Sequence, residues 1–118
     1  MAREFDRHHL IPRSRGGGNG LNKKKVKRIL HLAWHHLFYN LLPWEVIQKI
    51  ARKEYSSEKL SEAQRSSWNT LFGMRSQEEI FRYIRKEWYP PYRVVEESKY
   101  YAILRGPLWR ATKLRQIF

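Results

Sequence analysis

Residues 5–22, FDRHHLIPRSRGGGNGLN, and residues 31–35, HLAWH, decide the fold of this chain. All five histidines fall between positions 8 and 36, on both sides of a glycine-rich loop. The short mixed run before the loop predicts a strand that ends at the histidine pair, because a proline follows and stops regular structure. The glycines predict tight turns. The run KKKVKRI (23–29) predicts a second strand, and the spacing of apolar residues predicts a helix over 29–40.

The histidines suggest a metal site. His31 and His35 are four residues apart, which puts them on one face of the predicted helix. Two such imidazoles can bind one metal ion if a third ligand comes from elsewhere in the fold. His8 and His9 point to opposite sides of the predicted strand, so one can bind metal while the other faces a substrate. The alternative is that His31 and His35 are ordinary residues of a helix surface.

The order of these motifs resembles the HNH nucleases, which have the ββα-metal fold. In that family a His pair or Asp-His closes the first strand, and a loop that commonly contains Gly-Gly follows. An Asn then opens the second strand, and a helix carries the last histidine. The variant with His-His and His-x-x-x-His is similar to the nuclease domains of DNase-type colicins. The resemblance covers about residues 5–40, roughly a third of the chain.

The resemblance implies a role for each matching residue. His8, His31 and His35 correspond to the metal ligands, and His9 corresponds to the general base that takes a proton from the attacking water. Asn22 corresponds to the central Asn, which braces the loop and the histidine strand. The implied cofactor is one divalent metal ion, with Zn²⁺, Ni²⁺, Mg²⁺ and Mn²⁺ left open. An all-histidine site suits Zn²⁺ or Ni²⁺ better than Mg²⁺.

Two of these positions have a rival nearby. Asn19 is the rival of Asn22, but only Asn22 directly precedes the predicted second strand. His36 is the rival of His35, but its five-residue spacing turns it away from the face of His31. We therefore expect Asn22 and His35 to be the functional members of the two pairs.

The charge of the chain is strongly positive. Its 24 Lys and Arg residues outnumber its 11 acidic residues, which gives a net charge of +13 that attracts polyanions such as nucleic acid. Near the histidines only Glu4 and Asp6 are acidic, so the carboxylates that commonly orient the family's histidines are not evident. The candidates for sequence-independent contacts with a nucleic-acid backbone are Arg13, Arg15, Lys23, Lys24, Lys25, Lys27 and Arg28.

The partner expected from this charge is nucleic acid, and the resemblance favours DNA over RNA. No run approaches the ~18 apolar residues of a membrane span, so we expect no membrane association. Without cysteine the chain forms no disulfide-linked complex. The first residues, MAREFDRHH, lack the apolar segment of a secretory signal, which predicts a cytoplasmic location.

We expect an α+β protein in three parts. These are a ββα-metal core over 1–42, a mainly helical extension over 43–90, and a short β-hairpin with a basic aromatic tail over 91–118. The extension contains three helix patterns. The first covers 43–55, with a proline in its first turn. The next follows the capping-type run SSEKLSEAQ and continues through Trp68, Leu71 and Phe72, and the last covers 76–89 and opens with Ser76 and Glu79 in capping-box spacing.

The predicted hairpin has its strands in YRVV (92–95) and KYYAIL (99–104), around the turn-like EESK. Beyond Gly106 and Pro107, the segment LWRATKLRQIF carries several basic and large apolar residues. It can dock on the core, pair with a partner or lie along nucleic acid, and the sequence does not choose among them.

An internal similarity links two parts of the chain. Residues 31–50 align without gaps on residues 65–84, with five identities in twenty positions. The identical pairs are Trp34/Trp68, Leu37/Leu71, Phe38/Phe72, Glu45/Glu79 and Ile50/Ile84. The second copy has Arg65 and Asn69 in place of His31 and His35. A repeated helix–turn–helix explains the pattern, and coincidence between two amphipathic helix pairs is the alternative.

Two functions fit the sequence. The first is a small metal-dependent endonuclease with little sequence specificity. The second is a non-catalytic protein that uses a metal-stapled HNH scaffold to bind RNA or DNA, within a ribonucleoprotein for example. His9 separates the two functions, because a binding protein needs the three ligands for stability but has no use for a general base. The presence of His9 favours the enzyme.

Overall fold

Two antiparallel strands and five helices form an α+β fold in the computed structural model, which describes residues 3–101. The elements in chain order are β1 (Phe5–His9), β2 (Lys23–Lys27), α1 (Arg28–Phe38), α2 (Pro43–Ala51), α3 (Glu62–Phe72), α4 (Gln77–Glu87) and α5 (Tyr92–Glu96). β1 pairs with β2, and α1 follows β2 directly. The predicted order of strand, loop, strand and helix is confirmed.

The glycine-rich loop is held against the end of β1 by one buried side chain. The Asn22 side-chain oxygen accepts a hydrogen bond from the Ile11 N–H (2.8 Å), and its amide nitrogen donates to the carbonyls of Ile11 (2.9 Å) and Gly18 (3.0 Å). Gly17 lies so close to the same backbone that an added Cβ would sit 1.7 Å from the Ile11 carbonyl oxygen. The loop conformation therefore depends on both an asparagine and a glycine.

A single hydrophobic core connects the described segments. It contains Ile11 from the N-terminal loop, apolar side chains of all five helices, and Trp88 after α4. The rings of Trp34 on α1 and Trp88 stack with centroids 4.0 Å apart and planes inclined by 7°. The predicted N-terminal core and helical extension thus share one packed interior.

The internal similarity corresponds to a structural repeat. α3 begins and ends 34 residues after α1, and α4 begins 34 residues after α2. The residue that ends α1, Tyr39, has φ 49° and ψ −116°, and its counterpart Gly73 after α3 has φ 58° and ψ −130°. The helix–turn–helix predicted over 65–84 is therefore confirmed.

The packing inside the two copies also agrees. The rings of Trp34 and Phe38 lie 4.6 Å apart at 68°, and those of Trp68 and Phe72 have the same separation and angle. One difference is burial, since Trp34 is buried and Trp68 is only half-buried. The copies pack against each other through α1 with α3 and α2 with α4.

The second helix of each copy begins with the same hydrogen bond. In α2 the Glu45 carboxylate accepts from the Leu42 N–H, and in α4 the Glu79 carboxylate accepts from the Ser76 N–H. The capping box predicted for α4 is confirmed. α2 ends at Ala51, earlier than the pattern over 43–55 predicts, and the chain turns away through a positive φ of 59° at Lys53.

The predicted C-terminal hairpin is wrong in its first strand. Residues 92–95 belong to α5, which follows its N-cap Pro91 and buries Val95 completely. Two adjacent valines favour a strand locally, but packing against the core decides the outcome. Residues 99 and 100 of the second predicted strand lie in a turn. Residue 101 is described as helical rather than extended, and residues 102–104 of that strand and the basic tail lie outside the described residues.

No helix within residues 3–101 is long and apolar enough to cross a membrane.

The close approach at Gly17 gives a test of the loop. Gly17→Ala should lower the free energy of unfolding by about 1–3 kcal/mol, because the new methyl group must push the Ile11 backbone aside. Gly18→Ala is the matched control, since no atom lies within 4 Å of an added Cβ there. Chemical denaturation of both variants measures the difference. Equal stability of the two would contradict this packing.

Candidate metal centre

Three imidazoles meet between the strand and the helix that follows the hairpin. His8 comes from β1, and His31 and His35 come from successive turns of α1. Each offers one ring nitrogen, and these nitrogens all lie within 4.8 Å of one another. The three side chains are therefore close enough to hold one metal ion.

The hydrogen bonds of the two helical histidines determine which nitrogen is available. His31 Nδ1 lies 2.9 Å from a carboxylate oxygen of Asp6, and His35 Nδ1 lies 3.1 Å from the carbonyl oxygen of Tyr39. A carboxylate and a carbonyl only accept, so each Nδ1 carries the hydrogen. In a neutral imidazole the remaining nitrogen, Nε2, then has a free lone pair.

These two lone pairs face each other. His31 Nε2 and His35 Nε2 are 2.9 Å apart, and neither carries a hydrogen in the neutral rings. Such a contact is repulsive unless a cation lies between the nitrogens. Metal–nitrogen bonds of ~2.0–2.1 Å put tetrahedral ligands about 3.3 Å apart, so a small shift of the side chains admits an ion.

His8 supplies the third position from a buried site. Its side chain is 3% exposed, and its ring lies against the edges of Trp34 and Trp88. Its Nδ1 has no hydrogen-bonding partner among the described residues. A buried polar atom without a partner is costly in a folded protein. The orphaned nitrogen, the opposed lone pairs and the three-imidazole donor set all fit a bound metal.

The surroundings of His8 and His35 favour the neutral form of both rings. Burial, followed by positive charge on His35 and His31, lowers the pKa of His8 to about 3. Burial also lowers the pKa of His35, with His31 as the second cause. The hydrogen bond from His31 lowers the pKa of Asp6, which therefore stays ionised as its acceptor. Neutral imidazoles are the form that binds metal.

His9 lies on the opposite side of β1 from His8, as the strand alternation predicts. Its Nε2 is 3.3 Å from the side-chain oxygen of Asn19. Because that oxygen accepts, Nε2 carries the hydrogen and Nδ1 keeps a lone pair. The structure thus gives Asn19 a place beside His9, while Asn22 braces the loop.

His36, the rival of His35, takes no part in the cluster. Its Nδ1 bonds the Ser67 hydroxyl on α3 at 2.8 Å. Sequence reasoning found the three clustered histidines but missed their supports. The signal for Asp6 was its place two residues before His8, on the same face of the strand. No comparable signal marked Asn19 as the neighbour of His9.

A basic pocket opens next to the cluster. It has a volume of about 470 Å³ and is lined by Arg3, Phe5, Asp6, Arg7, Lys25 and His31. Lys25 lies over the Phe5 ring, 4.5 Å from its centroid. One of the three clustered histidines therefore faces a cavity that carries three cationic side chains, which favours an anionic ligand.

The predicted nucleic-acid contacts divide into two groups. Arg15 forms a bidentate pair with Glu45 at 2.9 and 3.1 Å, and Lys24 bonds Glu87 at 2.7 Å. These two cationic side chains are therefore neutralised by ion pairs within the protein. Of the other predicted contact residues, Arg28 lies 3.7 Å from a carboxylate oxygen of Asp6. The rest form no ion pair with a carboxylate within residues 3–101. The unpaired members are Arg13, Lys23, Lys25 and Lys27.

Comparisons of the chain with protein-family models, curated proteins and solved structures found no match.

The buried His8 makes the metal-free protein sensitive to acid. Below pH 6.5 the unfolded chain takes up a proton that folded His8 resists until about pH 3. Stability is therefore complete above pH 6.5 and falls with acidification, by up to about 1.4 kcal/mol per pH unit. Urea denaturation of chelator-treated protein between pH 7 and pH 5 measures this slope. His8→Phe should flatten it, and an unchanged slope would contradict the assignment.

Metal content tests the cluster itself. His31→Ala and His35→Ala should each lose the bound ion, because each removes one of three ligands. His36→Ala should retain it, since His36 bonds Ser67 on a neighbouring helix. Elemental analysis of protein purified without chelator should give about one equivalent in the wild type and in His36→Ala. Equal metal content in all three variants would rule out this site.

Proposed function

We propose that the protein is a metal-dependent endonuclease of the HNH type, with a ββα-metal core, that hydrolyses phosphodiester bonds of DNA with little sequence specificity. The observation that carries the proposal is the cluster of His8, His31 and His35 beside a basic pocket. His31 belongs to both, so a cation site and an anion site adjoin. A phosphodiester next to a divalent ion matches that pair of sites.

The cluster has the residues for the metal's part of the reaction. His8, His31 and His35 would hold one divalent ion, and Asp6 and the Tyr39 carbonyl fix the rings of the two helical ligands. When bound, the ion supplies Lewis-acid stabilisation of the charge that develops on the phosphate and the leaving oxygen.

The proton transfer falls to His9. Its Nδ1 has the lone pair that accepts a proton from water, and its Nε2–H is held by the Asn19 side-chain oxygen. Asn22 fixes the loop that carries Asn19, through its bonds to Ile11 and Gly18. A general base held in this way needs no reorientation before it acts.

The low sequence specificity follows from the kind of contact available. Arg7 and Lys25 line the pocket beside His31, and Lys23 and Lys27 lie along the same strand as Lys25. Such side chains bind phosphate groups, which are the same at every base pair. Binding should therefore weaken steeply with salt and vary little with sequence.

Nicking of supercoiled plasmid tests the proposal. The wild type should cleave when supplied with Zn²⁺, Ni²⁺, Mg²⁺ or Mn²⁺ and stop when a chelator is added. His9→Ala should lower the rate by about 10²–10⁴-fold, because it removes the general base but none of the metal ligands. His36→Ala is the control, with one imidazole less and the cluster intact.

The same assay separates the alternative function. Wild-type protein that binds metal and plasmid without nicking, under every metal tested, would identify a metal-stapled nucleic-acid-binding protein. Cleavage by His9→Ala at the wild-type rate would leave an enzyme but overturn the role of His9.

A further inference from the structure

The second copy of the repeat has a pocket where the first copy has its metal centre. Its volume is about 260 Å³, and its lining residues are Tyr55, Ser57, Leu60, Arg65, Trp68 and Asn69. Three of these correspond to the metal helix at the 34-residue offset, with Arg65 for His31, Trp68 for Trp34 and Asn69 for His35. The same face of the repeated helix thus carries the histidine cluster in the first copy and a pocket in the second.

In each copy the repeated tryptophan also has a ring neighbour from an earlier segment of the chain. In the first copy the segment before α1 places His8 against Trp34, with ring centroids 6.5 Å apart. In the second copy the segment before α3 places Tyr55 against Trp68, with centroids 6.1 Å apart and planes inclined by 25°. The repeat therefore keeps a ring neighbour for the tryptophan, while the chemistry of the adjoining side chains differs.

The lining of the second pocket offers no histidine, cysteine or carboxylate to a metal, and its guanidinium favours an anion. A guanidinium has no lone pair to give a metal and instead offers a planar set of donors to phosphate or carboxylate. Within residues 3–101 the Arg65 side chain has no ion pair or hydrogen bond, and neither has the Asn69 amide. Both groups are exposed at the mouth of the pocket and are available to a ligand.

The aromatic side chains specify the rest of the ligand. Tyr55 and Trp68 are half-buried and nearly parallel, so they form an aromatic wall beside the free Arg65 and Asn69. A planar ring stacks on such a wall, an amide can pair with its edge, and a guanidinium binds a phosphate attached to it. A nucleotide combines these three parts, since it has a planar base, a polar base edge and a phosphate. The volume of 260 Å³ suits a base whose sugar and phosphate extend toward Arg65.

We propose that this second pocket binds a nucleotide, with the base against Trp68 and Tyr55 and the phosphate on Arg65. The site is distinct from the histidine cluster and does not depend on the proposed cleavage activity. In this arrangement the first copy of the repeat holds a metal and the second copy holds a nucleotide.

Calorimetric titration of the full chain with AMP, adenosine and ribose 5-phosphate tests the proposal. AMP should bind at one site, and both fragments should bind at least tenfold more weakly, because each lacks one of the two recognised parts. Arg65→Gln should raise the Kd for AMP at least tenfold. Arg82→Gln removes the same charge from an exposed position on α4 and should change the Kd less than twofold.

Trp68→Phe is a second test variant, which shortens the stacking surface but keeps an aromatic side chain in the core. It should weaken AMP while leaving ribose 5-phosphate unchanged, and circular dichroism checks that the helices persist. Equal weakening by Arg65→Gln and Arg82→Gln would mean that general charge attracts the ligand, and the site would be wrong. Ribose 5-phosphate binding as tightly as AMP would also overturn it, as would the absence of saturable AMP binding.

Discussion

The indole of Trp34 is the contact on which the arrangement of the site depends. The Trp34 ring stacks on the Trp88 ring, with centroids 4.0 Å apart, and a further neighbour is the His8 ring at 6.5 Å. In sequence Trp34 lies on α1 between His31 and His35. The rotation of α1 about its own axis is therefore fixed from the core side. Because the helix is fixed, its two histidines meet a third from the strand. Nothing in the histidine spacing alone would produce that meeting.

The parts of the site that could be predicted from sequence are those governed by local periodicity. A four-residue spacing puts His31 and His35 on one face whatever the fold, and alternation separates His8 from His9. The same alternation puts Asp6 on the face of His8, but its contact with His31 depends on how α1 lies against β1. The contact of Asn19 with His9 depends on the path of a loop. The strand predicted over 92–95 is wrong for a related reason. Its valines are apolar, as a buried strand requires, but the segment that carries them is the helix α5.

The repeat shows which residues serve packing and which serve chemistry. Trp34, Phe38 and Glu45 recur as Trp68, Phe72 and Glu79 with the same ring geometry and the same helix-start hydrogen bond. The two helical metal-site histidines do not recur, although His35 lies between the recurring Trp34 and Phe38 on the same helix. A helix–turn–helix unit thus tolerates different side chains on one face while the other face holds the core together.

The outer face of the hairpin brings like charges into facing positions. Arg7 lies directly opposite Lys25. Like charges in facing positions of two strands destabilise the pairing. A polyanion laid along this face would remove the repulsion, so the same side chains that weaken the free hairpin would strengthen it in a complex. Under the proposed function, the stability lost in the free protein would return as binding free energy, and the basic strand beside the glycine-rich loop would serve that binding.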